Sequence, residues 1–534
     1  MATPLQFSNR KLFFWSTTVY LSLVALEIIL IMSGCQGRFI FPLDDTYIHL
    51  ALADQLAHGH YGINPGEFAS PSSSPLWSFL ITPFAGTSFH PYFPVLLNTI
   101  FGILSVYFLT KMVSDLTEDK TDDSRFSGWK QLLVCILLML LCDLPSLTVL
   151  GMEHGLQILL TICCAGGFIA VIAGRPVPAS AIAAAIIAPV VRYEDLSLTL
   201  ALTVLLFAVG QKARAIGTFV ASLVPVIAFS LFLHFIGLPP LPTSVLQKSN
   251  SSMDHSPLSS LLGVVRSNLL QTAHDPIHRG PVILPFLFCL WMTARSKSRL
   301  ERAIFLGPTL VGALHLMLGR FGWLHRYEVY ATVFQVLVIT GWALIRLTQR
   351  ADRSASSLFS SASFRPSFAG LLVLLLLCGG ISIKAIGETP ICSMTVYRQQ
   401  YQMHLFLNRF YTGNLEVNDL GAMSFQRRPG TYVFDLAGLG SVEAQQQKKM
   451  DPEWMQAIAK KHDIELAVIY EHWWPVPSTW TNLGRICEHR RGFVILGGPC
   501  VAVYSINPAN NASIQKNLLT FASTLPPGVW YERP

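Results

Sequence analysis

Charge is what this 534-residue chain has little of. Asp, Glu, Lys and Arg make up 13% of it and hydrophobic residues 51%, where a soluble domain carries roughly 25% charged residues. With a mean hydropathy of +0.46, that shortage excludes a single soluble globule. It ends near Gly387: from there to Pro534, charged, aromatic and turn residues mix as in an ordinary domain. The ten cysteines form no metal-binding spacing. Cys135, Cys142, Cys163, Cys164, Cys289 and Cys378 lie inside apolar runs and read as packing residues. Cys487 and Cys500 would form a disulfide in an oxidising compartment. There is no glycine-rich loop of the kind that cradles a nucleotide's phosphates. Internal repeats are absent, and the one biased segment is the Ser-rich Ser354–Ser363. The net charge of +7 is modest and spread over short loops, which argues against a nucleic-acid partner.

What the chain does have is a series of apolar runs. A membrane helix needs about 20 apolar residues. Eleven candidates lie at 12–34, 91–112, 131–149, 155–173, 178–191, 196–210, 216–236, 281–294, 303–319, 329–346 and 368–387. The predicted fold class is a polytopic α-helical membrane protein of about eleven spans, 1–387, with a first outer loop at 35–74. A soluble α/β domain follows over 388–534. The run 75–87 is short and holds Pro83, so it reads as a helix at the interface or one leading into the second span. Met32-Ser-Gly-Cys35 resembles a lipoprotein cleavage box, but the apolar run before it is long enough to span. Placing the N-terminus inside puts most Lys and Arg on the cytoplasmic side, and the odd number of spans then puts the tail outside. The short loops point to a bacterial inner (plasma) membrane, with membrane lipids as the surroundings.

The tail opens with an amphipathic helix over 397–410. Strand-like runs follow at 415–418, 431–435, 464–470, 493–496 and 501–505, with a helix at 452–461. Asp419 and Asp435 read as turn residues. Trp473, Trp474 and Trp480 could stack on sugars, although core packing is their commoner use.

The sharpest chemical feature is Phe41-Pro-Leu-Asp44-Asp45-Thr46-Tyr47. Adjacent carboxylates are costly beside lipid, so they are either well solvated or used. The competing structural role is for Asp44 to cap the next helix. Over 44–58, Tyr47, Leu50, Ala51, Asp54 and Leu56 have the spacing of a helix lying in the interface. Asn64-Pro65-Gly66-Glu67 is a turn signal. The same side of the membrane would carry Glu153, Arg192, Glu194, Lys248, His278 and Arg326. Carboxylates with nearby cations there suit an anionic substrate whose tail lies in lipid.

These motifs carry a resemblance. Asp44-Asp45-Thr-Tyr-Ile, His58-Gly-His-Tyr-Gly62-Ile-Asn64-Pro-Gly-Glu67 and Ser72-Ser-Ser-Pro75-Leu-Trp77 are similar to the GT-C superfamily of polytopic glycosyltransferases. The branch most resembled includes the mycobacterial terminal arabinofuranosyltransferase. Shorter matches are Gly151-Met-Glu153, Arg192-Tyr-Glu194, Leu241-Pro-Thr243 with Lys248, Arg326-Tyr327, Asn418-Asp419-Leu-Gly421 and Asp435-Leu-Ala-Gly438. The first loop departs at Ala69-Ser-Pro71, where a glycine-aromatic pair is expected.

The resemblance implies a polyprenyl-phosphate sugar donor, a glycan or lipid acceptor, and inversion at the anomeric carbon. Asp44 would be the base, and Asp45 would orient the acceptor or help bind a cation. Lys248, Arg326, Arg192 and His278 would hold the donor's phosphate, and Glu153, Glu194, Tyr47 and Asn64 would bind substrate. No cofactor is required, and a divalent cation is compatible but not demanded. A transporter or flippase of lipid-linked sugars is the alternative; it would show charges within spans and broken helices in both halves, and the sequence has few charges mid-span and no internal repeat. A non-catalytic scaffold would leave the Asp-Asp loop unexplained.

Overall fold

The structure is a computed structural model that describes residues 8–117, 128–248, 257–353, 361–447, 450–489 and 496–534. All eleven apolar runs are helical in their described parts. Eight helices among the described residues are long and apolar enough to cross a membrane. The runs at 178–191, 196–210 and 281–294 form the shorter helices Ala179–Val191, Leu196–Ala208 and Gly280–Arg295. The run 75–87 is a five-residue helix, Trp77–Ile81, followed by one 3-10 turn. The protein is therefore a polytopic helical membrane protein with a C-terminal α/β domain.

The chain divides into two compact units. The first joins 1–27, 95–228 and 252–387; the second joins 28–94, 229–251 and 388–534. The expected boundary at 387/388 is one of theirs, but the first outer loop, expected with the membrane module, groups with the C-terminal domain.

In the first unit, helices approach closely where one of them carries glycine. A Cβ on Gly307 would sit 2.5 Å from the Phe168 ring, and one on Gly341 would sit 2.6 Å from Ile169. Small residues at such contacts let helix backbones pack without a hydrophobic drive from water. The third apolar run is broken. It forms Gly128–Leu141 and Leu144–Leu150, with Asp143 between them at φ +51°. Pro145 is the local cause: it has no N–H to give the Leu141 carbonyl. Ser382 Oγ, from another helix, donates to that carbonyl at 3.1 Å.

The second unit is built on a six-stranded sheet: β1 Asn414–Val417, β2 Val433–Asp435, β3 Ile464–Ile469, β4 Thr481–Glu488, β5 Cys500–Ser505 and β6 Val529–Glu532. Their order is β2-β1-β3-β5-β4-β6, parallel across β2-β1-β3 and antiparallel beyond. Alternate residues serve two cores. Leu466, Val468, Val501 and Val503 pack on one face with Met403, Phe406 and Leu518 of the helices Gln400–Arg409 and Asn511–Ala522. Ala467, Ile469, Ala502 and Tyr504 pack on the other with Met455 and Ile458 of the helix Pro452–Lys461. The sequence reading missed β4, β6 and the helix Asn511–Ala522. The strand expected at 493–496 falls mostly outside the described residues, as does the Ser-rich stretch at 354–360.

The helix Asp45–Ala57 corrects an expectation. It does not lie half-exposed: Thr46 through Ala53 are all buried, and Ile48, Ala51 and Leu52 join the first core. Apolar residues on every side of its first two turns leave no polar face, which is the pattern of a buried helix.

Cys487 and Cys500 face each other across β4 and β5 and are disulfide-bonded. Their separation of 13 residues is a loop whose closure stabilises by about 3 kcal/mol. Replacing both by serine is expected to lower the unit's stability by roughly 2–4 kcal/mol. Proteolysis of the C-terminal domain against temperature, with and without reductant, would measure this.

Candidate functional site

Asp44 ends the loop before the helix Asp45–Ala57, yet its side chain does not cap that helix. Its Oδ1 accepts the Ala422 N–H at 2.8 Å, from a segment 378 residues on. The approach requires Gly421. A Cβ there would lie 2.2 Å from the Asp44 carbonyl oxygen and 2.3 Å from Oδ2. The short match Asn418-Asp419-Leu-Gly421 thus acquires a physical purpose, because it closes on the acid.

Asp419 is the residue the sequence reading misjudged. It is not a free turn residue. Its Oδ2 accepts from Tyr470 Oη at 3.0 Å and from Gln400 Nε2 at 3.2 Å, and its charge bears on Asp44. Burial, then the neighbouring Asp419 charge, pushes the Asp44 carboxyl up to about 8; the backbone N–H donors oppose this and Asp45 adds to it. Burial also raises Asp419, against the hydrogen bonds from Tyr470 and Gln400. Like-charged carboxyls this close favour keeping a proton between them. Asp435, by contrast, is a turn residue as expected. Its carboxyl accepts the N–H groups of Ala437, Leu439 and Gly440.

The first loop is clamped onto the sheet. β2 is an edge strand, and edges present unpaired backbone groups. The Asn64 amide satisfies one position of that edge as a neighbouring strand would: Nδ2 donates to the Val433 carbonyl at 2.9 Å and Oδ1 accepts its N–H at 2.8 Å. Glu67 accepts from Tyr432 Oη at 2.7 Å. Thr243 Oγ1 bridges the carbonyls of Ser70 and Leu439, at 2.7 and 3.0 Å. Asn64 and Tyr47 were expected at the substrate. Both are buried, and the structure uses them as anchors: Tyr47 Oη accepts the Phe41 N–H and its ring packs on Phe41 and Phe425. Lys248 ends the helix Thr243–Lys248, and its side chain lies outside the described residues.

In the first unit, four expected residues meet around Tyr327. Arg192 is held between Glu153 Oε1 at 2.8 Å and Glu194 Oε1 at 2.7 Å. Burial would lower its pKa, but Glu194 and Glu153 outweigh that and raise it. A guanidinium already matched by two carboxylates is poorly placed to take a third anion, and Glu153, fully buried, is committed to it. Arg326 is different. It lies over the Tyr327 ring at 4.7 Å, and donates to Tyr327 Oη at 2.7 Å and to Met152 Sδ at 3.0 Å. A left-handed turn precedes it: Gly322, Trp323, Leu324 and His325 all have positive φ. Such a conformation costs about 1–2 kcal/mol per non-glycine residue. Glu328 braces it by accepting the Gly322 N–H and facing His325 Nδ1 at 2.9 Å. His278 does not join this group. It is exposed and turned to Asp275 at 2.8 Å.

Among the described residues, the one group of three with metal-ligand spacing is Cys487, Cys500 and Glu532. Its cysteines are spent in the disulfide. Trp480 is a core residue whose Nε1 donates to Gln456, and Trp474 packs at the edge of the second core. Trp473 stays about half-exposed, edge-on to Tyr470 at 5.0 Å.

Residues 392–504 match the family model described as Domain of unknown function (DUF8728). No curated protein matches the chain. Among solved structures, the chain is similar to the apo oligosaccharyltransferase of Archaeoglobus fulgidus, at 11% identity and a TM-score of 0.42, over 90% of this chain and 74% of that one.

The elevated Asp44 makes a signed prediction. The unfolded chain releases this proton near pH 4, and the folded chain holds it to about 8. Between those values the folded state binds more protons, so stability falls as pH rises. Thermal unfolding at pH 5 and pH 8 is expected to show this fall, and Asp44→Asn is expected to make it smaller.

Proposed function

We propose that this chain is a GT-C-type glycosyltransferase. It moves a sugar from a polyprenyl-phosphate donor to a glycan or lipid hydroxyl, on the extracytoplasmic side of a bacterial inner membrane. The observation that carries the reading is the closed arrangement of Asp44, Asp419 and the Gly421–Ala422 backbone, on a first loop whose motif resembles that superfamily. A base works best with a pKa near the working pH, and a positioned one contributes roughly 10²–10⁴-fold in rate.

Ionised Asp44 takes the proton of the acceptor hydroxyl. The acceptor oxygen forms its bond to the anomeric carbon as the bond from that carbon to the phosphate oxygen breaks. The lipid phosphate leaves with the electron pair, and configuration inverts. A phosphate leaves readily, so no strong acid is needed. Asp45 orients the acceptor, and Glu194 serves the sugar. Arg326 is the principal cation for the phosphate, a role shared with Lys248. Arg192, held by Glu153 and Glu194, fixes Tyr327 in place, and His278 has no part. Fixed cations at developing charge can supply the larger share of rate enhancement.

The test is sugar transfer by purified protein from a panel of polyprenyl-phosphate sugars. Asp44→Asn is expected to reduce transfer at least about 100-fold while donor binding persists. Gly421→Ala is expected to reduce it comparably, because the added carbon displaces the acid. In the wild type, kcat should rise with pH toward about 8. Asp419→Asn should move that rise to lower pH, since it removes a like charge. Full activity in Asp44→Asn would overturn the assignment.

A further inference from the structure

Two buried carboxyl groups of the first unit take no part in that reaction. Glu27 lies within the helix Asn9–Gly34, about 10 Å from its end at Gly34 at 1.5 Å per residue. It is 2% exposed, and Ser146 Oγ, the hydroxyl that approaches it, donates its proton to Asp143, which leaves both Glu27 oxygens without a donor among the described residues. Asp143 is fully buried at the break between Gly128–Leu141 and Leu144–Leu150. Its Oδ1 accepts from Ser146 Oγ at 2.8 Å, and its Oδ2 has no donor. The two acids are neighbours across Ser146. Tyr20 Oη, bonded to Thr148 Oγ1 at 2.7 Å, ties the same two helices together.

Tyr20, Cys142 and Glu328 are the other titratable groups that bear on the pair. None of these is basic, so among the described residues none of them offsets two negative charges. Carboxylates within a membrane pair with something or mark an ion path. Three undonated oxygens on two acids call for a positive charge. The break in the helix adds to this, since interrupted helices at membrane depth are where coupling ions bind.

We propose that Glu27 and Asp143 form a site for one monovalent cation, a proton or a sodium ion, held between their carboxyl oxygens beside Ser146. The site is independent of sugar transfer. It places charge within a span beside one broken helix, whereas a transporter would break helices in both halves.

The test uses the full chain in detergent and a hydrophobic carbodiimide, which adds to protonated carboxyl groups in apolar surroundings. Mass spectrometry of the Glu27 and Asp143 peptides follows labelling from acidic to alkaline pH, in sodium chloride or choline chloride. Labelling of at least one acid that declines as pH rises is expected. Suppression by sodium at fixed pH identifies sodium as the occupant; indifference to sodium identifies the proton. In Asp143→Asn, labelling of Glu27 at neutral pH should fall about tenfold, because the like charge beside it is gone. No labelling of either acid at any pH would overturn the site. So would an unchanged Glu27 profile in an Asp143→Asn protein that still elutes as a folded species. If that variant does not fold, the wild-type profile alone decides.

Discussion

The second unit depends on one contact, the carboxyl of Asp44 against the backbone at Gly421 and Ala422. It joins segments 378 residues apart, and it tolerates no side chain at 421. Everything around it serves to hold those segments in register. Asn64 completes the β2 edge, Tyr432 reaches Glu67, and Thr243 bridges two loops. Each of these bonds is buried or partly buried, where an unsatisfied partner costs about 1–3 kcal/mol. The loop is therefore held by several interdependent bonds, which gives the acid a defined environment and lets a neighbouring charge act on it.

The first unit handles charge in two ways. Around Tyr327, arginine and glutamate are matched closely: Arg192 lies between two carboxylates, and Arg326 shares the ring and its hydroxyl. Such matching offsets the desolvation of each group. Glu27 and Asp143 are not matched, and Pro145 breaks the helix beside them. The same membrane unit thus holds a cluster in which acids and bases are paired and one made of acids alone. The acids-only cluster has reason to bind something small and positive.

Much of this was legible in the residues. The eleven apolar runs became helices because a long apolar stretch in lipid must satisfy its backbone internally. The first-loop acids stood out because charge there is costly. Other features were hidden for stated reasons. β6 is only four residues long, and the alternation of β4 is broken by a bulge between Asn482 and Arg485. The helix at 45–57 looked interfacial from the spacing of Tyr47, Leu50, Ala51, Asp54 and Leu56, when Thr46 through Ala53 are buried throughout. Asp419 resembled any Asp in a turn, and only its partners Tyr470 and Gln400 separate it from Asp435.

The sequence by itself determined where lipid and water lie along the chain, since hydropathy is summed locally over about 20 residues. It also determined that Asp44 and Asp45 need an explanation. Tertiary structure alone decided what they face. The first loop groups with the C-terminal domain, Gly421 meets Asp44, and Glu27 and Asp143 share Ser146. Each of these depends on residues far apart in the chain, whose pairing is set by shape and by the cost of leaving a buried polar group unmet, and no local pattern records it.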